Sequence, residues 1–189
     1  MPTPERTNVD AIVTAATEIL EHQGVDALTM QAVATAVGVR APSLYKRVRS
    51  RNDVIRLVME RIAIDLGDAL DAAVDGIRDP RDRALALLRA TRAFAHARPD
   101  SYSLLFARLP DDALPEPAVL AGTIAGVLRV STELVGDEHA LEAARTLTAW
   151  VHGFVSMELA DRFRMGRDVD EAFEYGSRRI ADALAMTAG

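Results

Sequence analysis

Apolar residues recur every three or four positions along almost the whole chain of 189 residues. This spacing places apolar side chains on one face of an α-helix. Alternating apolar and polar runs, which would indicate strands, are missing. The sequence therefore predicts an all-α protein of about nine helices. The first helix carries its apolar stripe at Val9, Ile12, Val13, Ala16, Ile19 and Leu20.

Cap and turn residues predict where the first helices begin and end. Gly24 follows the first helix, and Thr29 is of a type that typically caps the start of the next one. Gly38 interrupts the second helix. A short third helix is expected from near Arg40 to near Val48. Two short helices joined at a glycine turn are the helix-turn-helix pattern.

The last two helices are expected at residues 137–163 and 169–186. Apolar residues cover nearly all sides of the eighth helix, which indicates burial on all sides. We therefore predict that the protein is a homodimer joined through its last two helices. The alternative is that the eighth helix is simply the central core helix. The residues predicted at the interface are Val151, Val155, Phe173, Gly176, Ile180 and Leu184.

Composition excludes several classes of protein. The chain has no cysteine, so a disulfide framework, a thiolate metal site and a cysteine nucleophile are excluded. The first ten residues lack a basic segment followed by an apolar run. No uninterrupted apolar stretch reaches about 18 residues, and the longest candidate, residues 150–155, contains His152. A soluble cytoplasmic protein with no membrane partner is predicted.

Enzyme motifs are also missing. The histidines do not form a metal-binding HExxH pair, and no glycine-rich phosphate loop occurs. The sequence does not bring serine, histidine and aspartate together as a catalytic group. We predict no enzymatic activity, no catalytic residue, no metal site and no cofactor.

Positive charge is concentrated in one short segment. The chain has a net charge of −6, yet residues 40–56 contain six basic residues and only one acidic residue, Asp53. Such a patch on an acidic protein indicates an anionic partner that meets one face. A solvated helix face is the plain alternative. The segment begins at the third helix, whose equivalent in helix-turn-helix proteins enters the DNA major groove.

Residues 8–56 resemble the N-terminal domain of TetR-family transcriptional regulators. The resemblance rests on Gly24, Leu28-Thr29, Ala34, Gly38-Val39 and Leu44-Tyr45, followed closely by Ser50 and Arg51. Departures from the family pattern are Arg47 for histidine, Val48 for an aromatic residue, Arg51 for lysine and Asn52 for glutamate. The stretch from Ala149 to Val155, AWVHGFV, is similar to a tryptophan-histidine-glycine signature of one branch of the family.

The resemblance implies a three-helix DNA-binding domain at residues 1–52 and a ligand-binding and dimerisation bundle at 53–189. It further implies a dimer that binds a palindromic double-stranded DNA operator and is released by a small molecule. Repressor is the default, because a dimer on an operator blocks polymerase without further contacts. The DNA-contacting residues implied by position are Thr29, Gln31, Arg40, Ala41, Ser43, Tyr45, Lys46, Arg47 and Arg51.

The effector pocket is predicted among the larger side chains of the bundle, since such pockets are mostly apolar with a few polar groups. Plain core packing is the alternative for each of these residues. A second alternative concerns the whole chain, which would be a helical binding or adaptor protein that does not bind DNA. The predicted pocket residues are Phe94, His96, Tyr102, Phe106, Trp150, His152, Phe154 and Met157.

Overall fold

The computed structural model describes residues 8–166 and 168–186, and all regular secondary structure in these residues is helical. The all-α prediction is confirmed. Residues 1–7, part of the N-terminal stretch expected to lack a basic segment followed by an apolar run, lie outside the described ranges. The α-helices are α1 (Val9–Gln23), α2 (Met30–Val37), α3 (Ala41–Leu44), α4 (Arg51–Val74), α5 (Pro80–Ala97), α6 (Pro99–Leu105), α7 (Pro117–Val135), α8 (Ala140–Leu159) and α9 (Val169–Ala185).

Local cap chemistry sets the ends of the first helices as predicted. The Thr29 hydroxyl oxygen accepts a hydrogen bond from the Ala32 N–H at 3.1 Å, which satisfies one of the donors left open at the start of α2. Gly24 and Gly38 have φ of 77° and 76°, a region that favours glycine. Gly38 therefore ends α2 and turns the chain toward α3.

Two helices are shorter than predicted. Helix α3 ends at Leu44 instead of near Val48. After it the Arg47 N–H donates to the Leu44 carbonyl three residues back, which is the spacing of a tighter turn than the α-helix. Helix α8 ends at Leu159 instead of near Phe163. Two residues later Asp161 adopts φ of 52°, which an α-helix cannot continue through.

The chain forms two compact units. The first unit comprises Met1–Ile64 and Arg98–Leu120, and the second comprises Asp65–Ala97 and Ala121–Gly189. In the first unit α1 packs against α2 and α6, and α2 packs against α3. Its core contains Ile12, Leu20, Leu28, Val33, Leu44 and Val48, each at most 1% exposed.

The second unit is built around the mutual packing of α5, α8 and α9. Leu88, Val151, Val155, Phe173 and Ala181 are buried in it. The rings of Trp150, Phe154 and Phe173 lie 5.3–5.7 Å apart between centroids and form an aromatic cluster. Gly176 permits this packing, because a Cβ there would lie 2.5 Å from the Trp150 ring.

The longest apolar region of the described residues lies in α7, in contrast to the expectation that it would be residues 150–155. Among the described residues it alone is long and apolar enough to cross a membrane, and 28% of its apolar window is buried. Core helices of soluble proteins share this composition. Its exposed residues include Ile124 and Leu128.

Candidate DNA-binding surface

Helices α2 and α3 form a helix-turn-helix. The turn is closed by the Val39 N–H, which donates to the Ala34 carbonyl at 2.9 Å. Leu44 is completely buried and holds α3 against the rest of the first unit. Because Leu44 is anchored in the core, the residues after it turn outward. Tyr45 is 55% exposed and Lys46 is exposed beside it.

The other predicted contact residues lie around these two. Gln31 is exposed in the first turn of α2, and Arg40 is exposed immediately before α3. Arg47 is exposed, whereas Ala41 and Ser43 are half-buried. The hydroxyl of Thr29 already accepts the capping bond at the start of α2, although the residue itself is exposed.

Arg51 has a different environment from the one expected. Its Nε donates to the Leu28 carbonyl at 2.7 Å, and one of its Nη groups donates to the Val25 carbonyl at 2.6 Å. The guanidinium thus ties the start of α4 to the turn before α2. These bonds stabilise the helix-turn-helix, a structural role that the implied DNA contact of Arg51 did not indicate.

Asp53 is a structural residue of this site that the family comparison did not single out. The Asp53 N–H donates to the Ser50 hydroxyl at 3.1 Å, so Ser50 caps the start of α4. The Asp53 carboxylate accepts from the Arg49 N–H at 2.9 Å and from Arg56 at 2.8 Å. Burial alone would raise the pKa of Asp53, but these hydrogen bonds outweigh it and lower that pKa to about 2.

The predicted pocket residues are divided between the two units. Tyr102 and Phe106 belong to the first unit, where Tyr102 is fully buried and Phe106 is exposed. Burial raises the pKa of Tyr102 to about 12. In the second unit Phe94, Trp150, His152 and Phe154 are half-buried, while His96 and Met157 are exposed. Burial lowers the pKa of His152.

Two clefts in the second unit are lined mainly by residues with ionisable side chains. One of about 450 Å³ lies between α5 and α9 and includes Arg81, Tyr175 and Asp182. The other, of about 300 Å³, is lined by Arg92, Ala93, His96 and Asp170. Of the predicted pocket residues only His96 lines either of them. Among the described residues, no group of three or more histidine, aspartate or glutamate side chains is arranged to hold a metal ion.

The side chains predicted at the dimer interface point largely into the protein. Val151, Val155 and Phe173 are at most 4% exposed within the single chain, so they pack in its own core and cannot meet a partner. Gly176 accommodates the Trp150 ring of the same chain. Ile180 and Leu184 are half-buried. The apolar character of α8 therefore reflects intramolecular packing on this side.

Helices α2 and α3 thus form a helix-turn-helix with a cationic surface, where Tyr45 and Lys46 are exposed directly after the buried Leu44. The model of bacterial regulatory proteins of the tetR family matches residues 12–58, and that of the tetracyclin repressor-like C-terminal domain matches residues 84–180. The chain belongs to the TetR family of DNA-binding transcriptional regulators.

One relative is similar in sequence, and two solved structures are similar in fold. An uncharacterised helix-turn-helix-type transcriptional regulator of Mycobacterium tuberculosis, Rv0681, is 36% identical over 161 residues, covering 82% of this chain and 72% of that protein. A TetR regulator of Streptomyces coelicolor is 16% identical with a TM-score of 0.76, covering 97% of this chain and 100% of its own. A TetR variant of Acinetobacter baumannii in complex with minocycline is 18% identical with a TM-score of 0.73, over 97% and 99% of the two chains.

Proposed function

We propose that this TetR-family regulator is a cytoplasmic repressor that binds a palindromic operator as a homodimer and releases it when a small molecule binds. The observation that carries the proposal is the presentation of Tyr45 and Lys46 directly after the buried Leu44. A tyrosine hydroxyl and an ammonium group both bind phosphate oxygens. We assign residues 1–52 to DNA binding and 53–189 to effector binding and dimerisation, with no enzymatic activity.

The proposed contacts divide by chemistry. Arg40 and Gln31 have planar groups that can make paired hydrogen bonds to base edges, and the Ala41 methyl can contact thymine. Thr29, Ser43, Tyr45, Lys46 and Arg47 supply hydroxyl and cationic groups for the phosphate backbone. Arg51 is assigned to support of the fold, because two of its donor nitrogens are engaged by backbone carbonyls.

The dimer is proposed to form through the outward sides of α8 and α9. Ala149, Gly153 and Met157 are exposed at four-residue spacing on α8, and they share one face of that helix. A Cβ at Gly153 would meet open space, so the backbone is accessible to a partner helix. Tyr175 and Arg179 are exposed on α9, also four residues apart. This face replaces the inward residues predicted from sequence.

The interface is tested by placing a charge on it. Gly153→Arg is expected to convert the dimer to a monomer in sedimentation experiments. It should also abolish tight operator binding, because a monomer binds only one half-site at a time. Ala72→Arg, at an exposed position of α4, is the matched control and should remain dimeric. A dimeric Gly153→Arg protein would place the interface elsewhere.

The effector is proposed to be a small organic molecule that contacts the bundle aromatic residues. Support comes from the cluster of Trp150, Phe154 and Phe173 and from the structural neighbour that holds minocycline. His152 lies between Trp150 and Phe154 in the sequence of α8 and is half-buried, so it would add a polar group to this effector site. The AWVHGFV stretch supports placement in the tryptophan-histidine-glycine branch. An effector can release DNA only if it binds the two conformations with different affinity.

The first experiment is selection of bound sequences from random duplex DNA at physiological salt, where non-specific binding is weak. A palindrome with half-sites about 34–36 Å apart is the expected result. Addition of candidate small molecules to the recovered complex then identifies the effector by loss of binding. Absence of any enriched sequence, from protein shown to be free of bound small molecules, would contradict the proposed function.

A further inference from the structure

The segment 109–116, which follows α6 and precedes α7, is packed within the first unit. Ala113 is completely buried and Pro115 is also buried. Pro110 and Pro115 fix two backbone φ angles in a segment of eight residues, which limits the conformations open to it. The segment is thus a short, stiff element held against the unit that contains the helix-turn-helix.

Two polar contacts join this segment to α4. The Asn52 side-chain nitrogen donates to both oxygens of the Asp112 carboxylate, at 2.9 and 3.1 Å. Farther along α4, the Glu60 carboxylate accepts from the Glu116 N–H at 3.1 Å. The same Glu60 oxygen accepts from Arg56 at 2.7 Å. The two ends of the segment are therefore fastened at separate points along one helix.

Each of the first three residues of α4 bonds a different part of the first unit. Arg51 donates to the turn before α2, Asn52 donates to the segment 109–116, and Asp53 accepts from Arg49 in the loop after α3. The start of α4 is therefore a junction between this segment and both ends of the helix-turn-helix.

We infer that Asp112 and Asn52 are positioning residues, through which the segment 109–116 sets the orientation of the recognition helix α3. The inference rests on the proposed operator binding and adds a regulatory contact to it. A displacement of the segment shifts Asn52, and the adjacent Arg51 and Asp53 carry that shift to the two ends of the helix-turn-helix. Neither Asn52 nor Asp112 is assigned a contact with DNA.

The test compares Asp112→Ala with Asp111→Ala. Both substitutions remove one negative charge from adjacent exposed positions, so they change the attraction to DNA phosphates alike. Only Asp112 bonds Asn52. The ratio of affinity for the selected operator to affinity for scrambled DNA is expected to fall about five-fold in Asp112→Ala relative to Asp111→Ala, the size of one lost hydrogen bond. A merely structural role would lower the melting temperature without changing this ratio.

A double substitution makes the pairing specific. Asn52→Ala should reproduce the effect of Asp112→Ala, and the two together should cost no more than either alone, because they break the same contact. Additive effects would overturn the inference.

Amide hydrogen exchange of the DNA-free protein supplies a readout that does not depend on operator binding. The Arg49 N–H, which donates to Asp53, is expected to exchange about five-fold faster in Asp112→Ala than in Asp111→Ala. Equal exchange in the two variants, or equal operator preference, overturns the inference. If the unsubstituted protein binds no selected DNA, the proposed function fails. The exchange comparison alone then decides whether the segment 109–116 is coupled to the helix-turn-helix through the start of α4.

Discussion

The arginines of the bundle and two exposed basic residues of the helix-turn-helix, Arg40 and Lys46, are used in opposite ways. In the second unit Arg81, Arg83, Arg89, Arg92 and Arg129 each pair with a carboxylate. By contrast, Arg40 and Lys46 are exposed and form no ion pair among the residues that the structure describes. Positive charge is neutralised where it holds helices together and is left available where an anionic partner is to bind.

The ion pairs of the bundle include one that is partly shielded from water. Arg92 donates from Nε to Glu158 at 2.9 Å, bonds Asp170 as well, and lies over the Phe173 ring at 4.7 Å from its centroid. The Arg92 hydrogen bond, aided by a second one from His96, lowers the pKa of Glu158. This cluster joins α5, α8 and α9 at one end of the second unit.

The largest expected effect tests the available charge. Lys46→Ala should lower operator affinity by about 100-fold, because a dimer loses one phosphate contact in each half-site. The dependence of log affinity on log salt should become shallower by about two phosphates, at roughly 0.9 each. Tyr45→Ala should also abolish tight binding. Titration of labelled operator at several salt concentrations measures both quantities.

Arg78→Ala is the control for that experiment, since Arg78 is exposed in the second unit. It should bind operator like the unsubstituted protein, and all three variants should keep their helical content. Full operator affinity in Tyr45→Ala or Lys46→Ala would show that the recognition surface lies elsewhere.

The paired charge of the bundle should matter for stability instead. Glu158→Gln is expected to lower the free energy of unfolding by about 2.5 kcal/mol, because Arg92 keeps its charge in a shielded position with one strong partner removed. Urea unfolding at pH 7 measures the change. Glu138→Gln, at an exposed position before α8, should change it by less than about 0.5 kcal/mol. Equal effects in the two variants would remove the distinction between paired and available charge.

Asp53 belongs to the helix-turn-helix unit but is paired like the carboxylates of the bundle. Asp53→Asn should cost about 2 kcal/mol at pH 7, the value of a pKa lowered from 3.8 to about 2. Because the folded-state pKa is the lower one, this stabilisation is present above about pH 4 and is lost as the pH falls toward 2.

Unfolding measured from pH 7 to pH 2 checks both the size and the sign of the Asp53 effect. The difference between Asp53→Asn and the unsubstituted protein should shrink across that range. Asp26→Asn, an exposed change in the same unit, is the control for removal of a surface carboxylate. A pH-independent penalty would assign the effect to packing instead of charge.

The smallest effect concerns how closely α8 and α9 approach. Gly176→Ala should destabilise the protein by about 1–2 kcal/mol, because its methyl group would overlap the Trp150 ring. Gly122→Ala, where a Cβ meets open space in α7, should be neutral or stabilising by up to about 1 kcal/mol. Thermal unfolding compares the two. If Gly176→Ala leaves the stability unchanged, Gly176 does not pack against Trp150, and the sequence-based prediction that it lies at the dimer interface would be favoured.

Sequence reasoning succeeded where the physical cause is local. The cap at Thr29 and the glycine turns at Gly24 and Gly38 each depend on residues within four positions of one another. Helix periodicity is equally local, so the all-α fold could be read from spacing alone. The ends of α3 and α8 were missed, because no proline or glycine marks the turn after Leu44 or the left-handed residue Asp161.

The sequence by itself determined the helices, the family and the segment that carries the exposed positive charge. Only the tertiary structure decided which face of a helix its own chain covers. Val151, Val155 and Phe173 pack inward, and Arg51 bonds carbonyls 23 and 26 residues away. An apolar stripe shows that a face must be buried, but the same stripe suits the chain's own core and a second copy equally well. Long-range packing removes that ambiguity, because it alone assigns each side chain its neighbours.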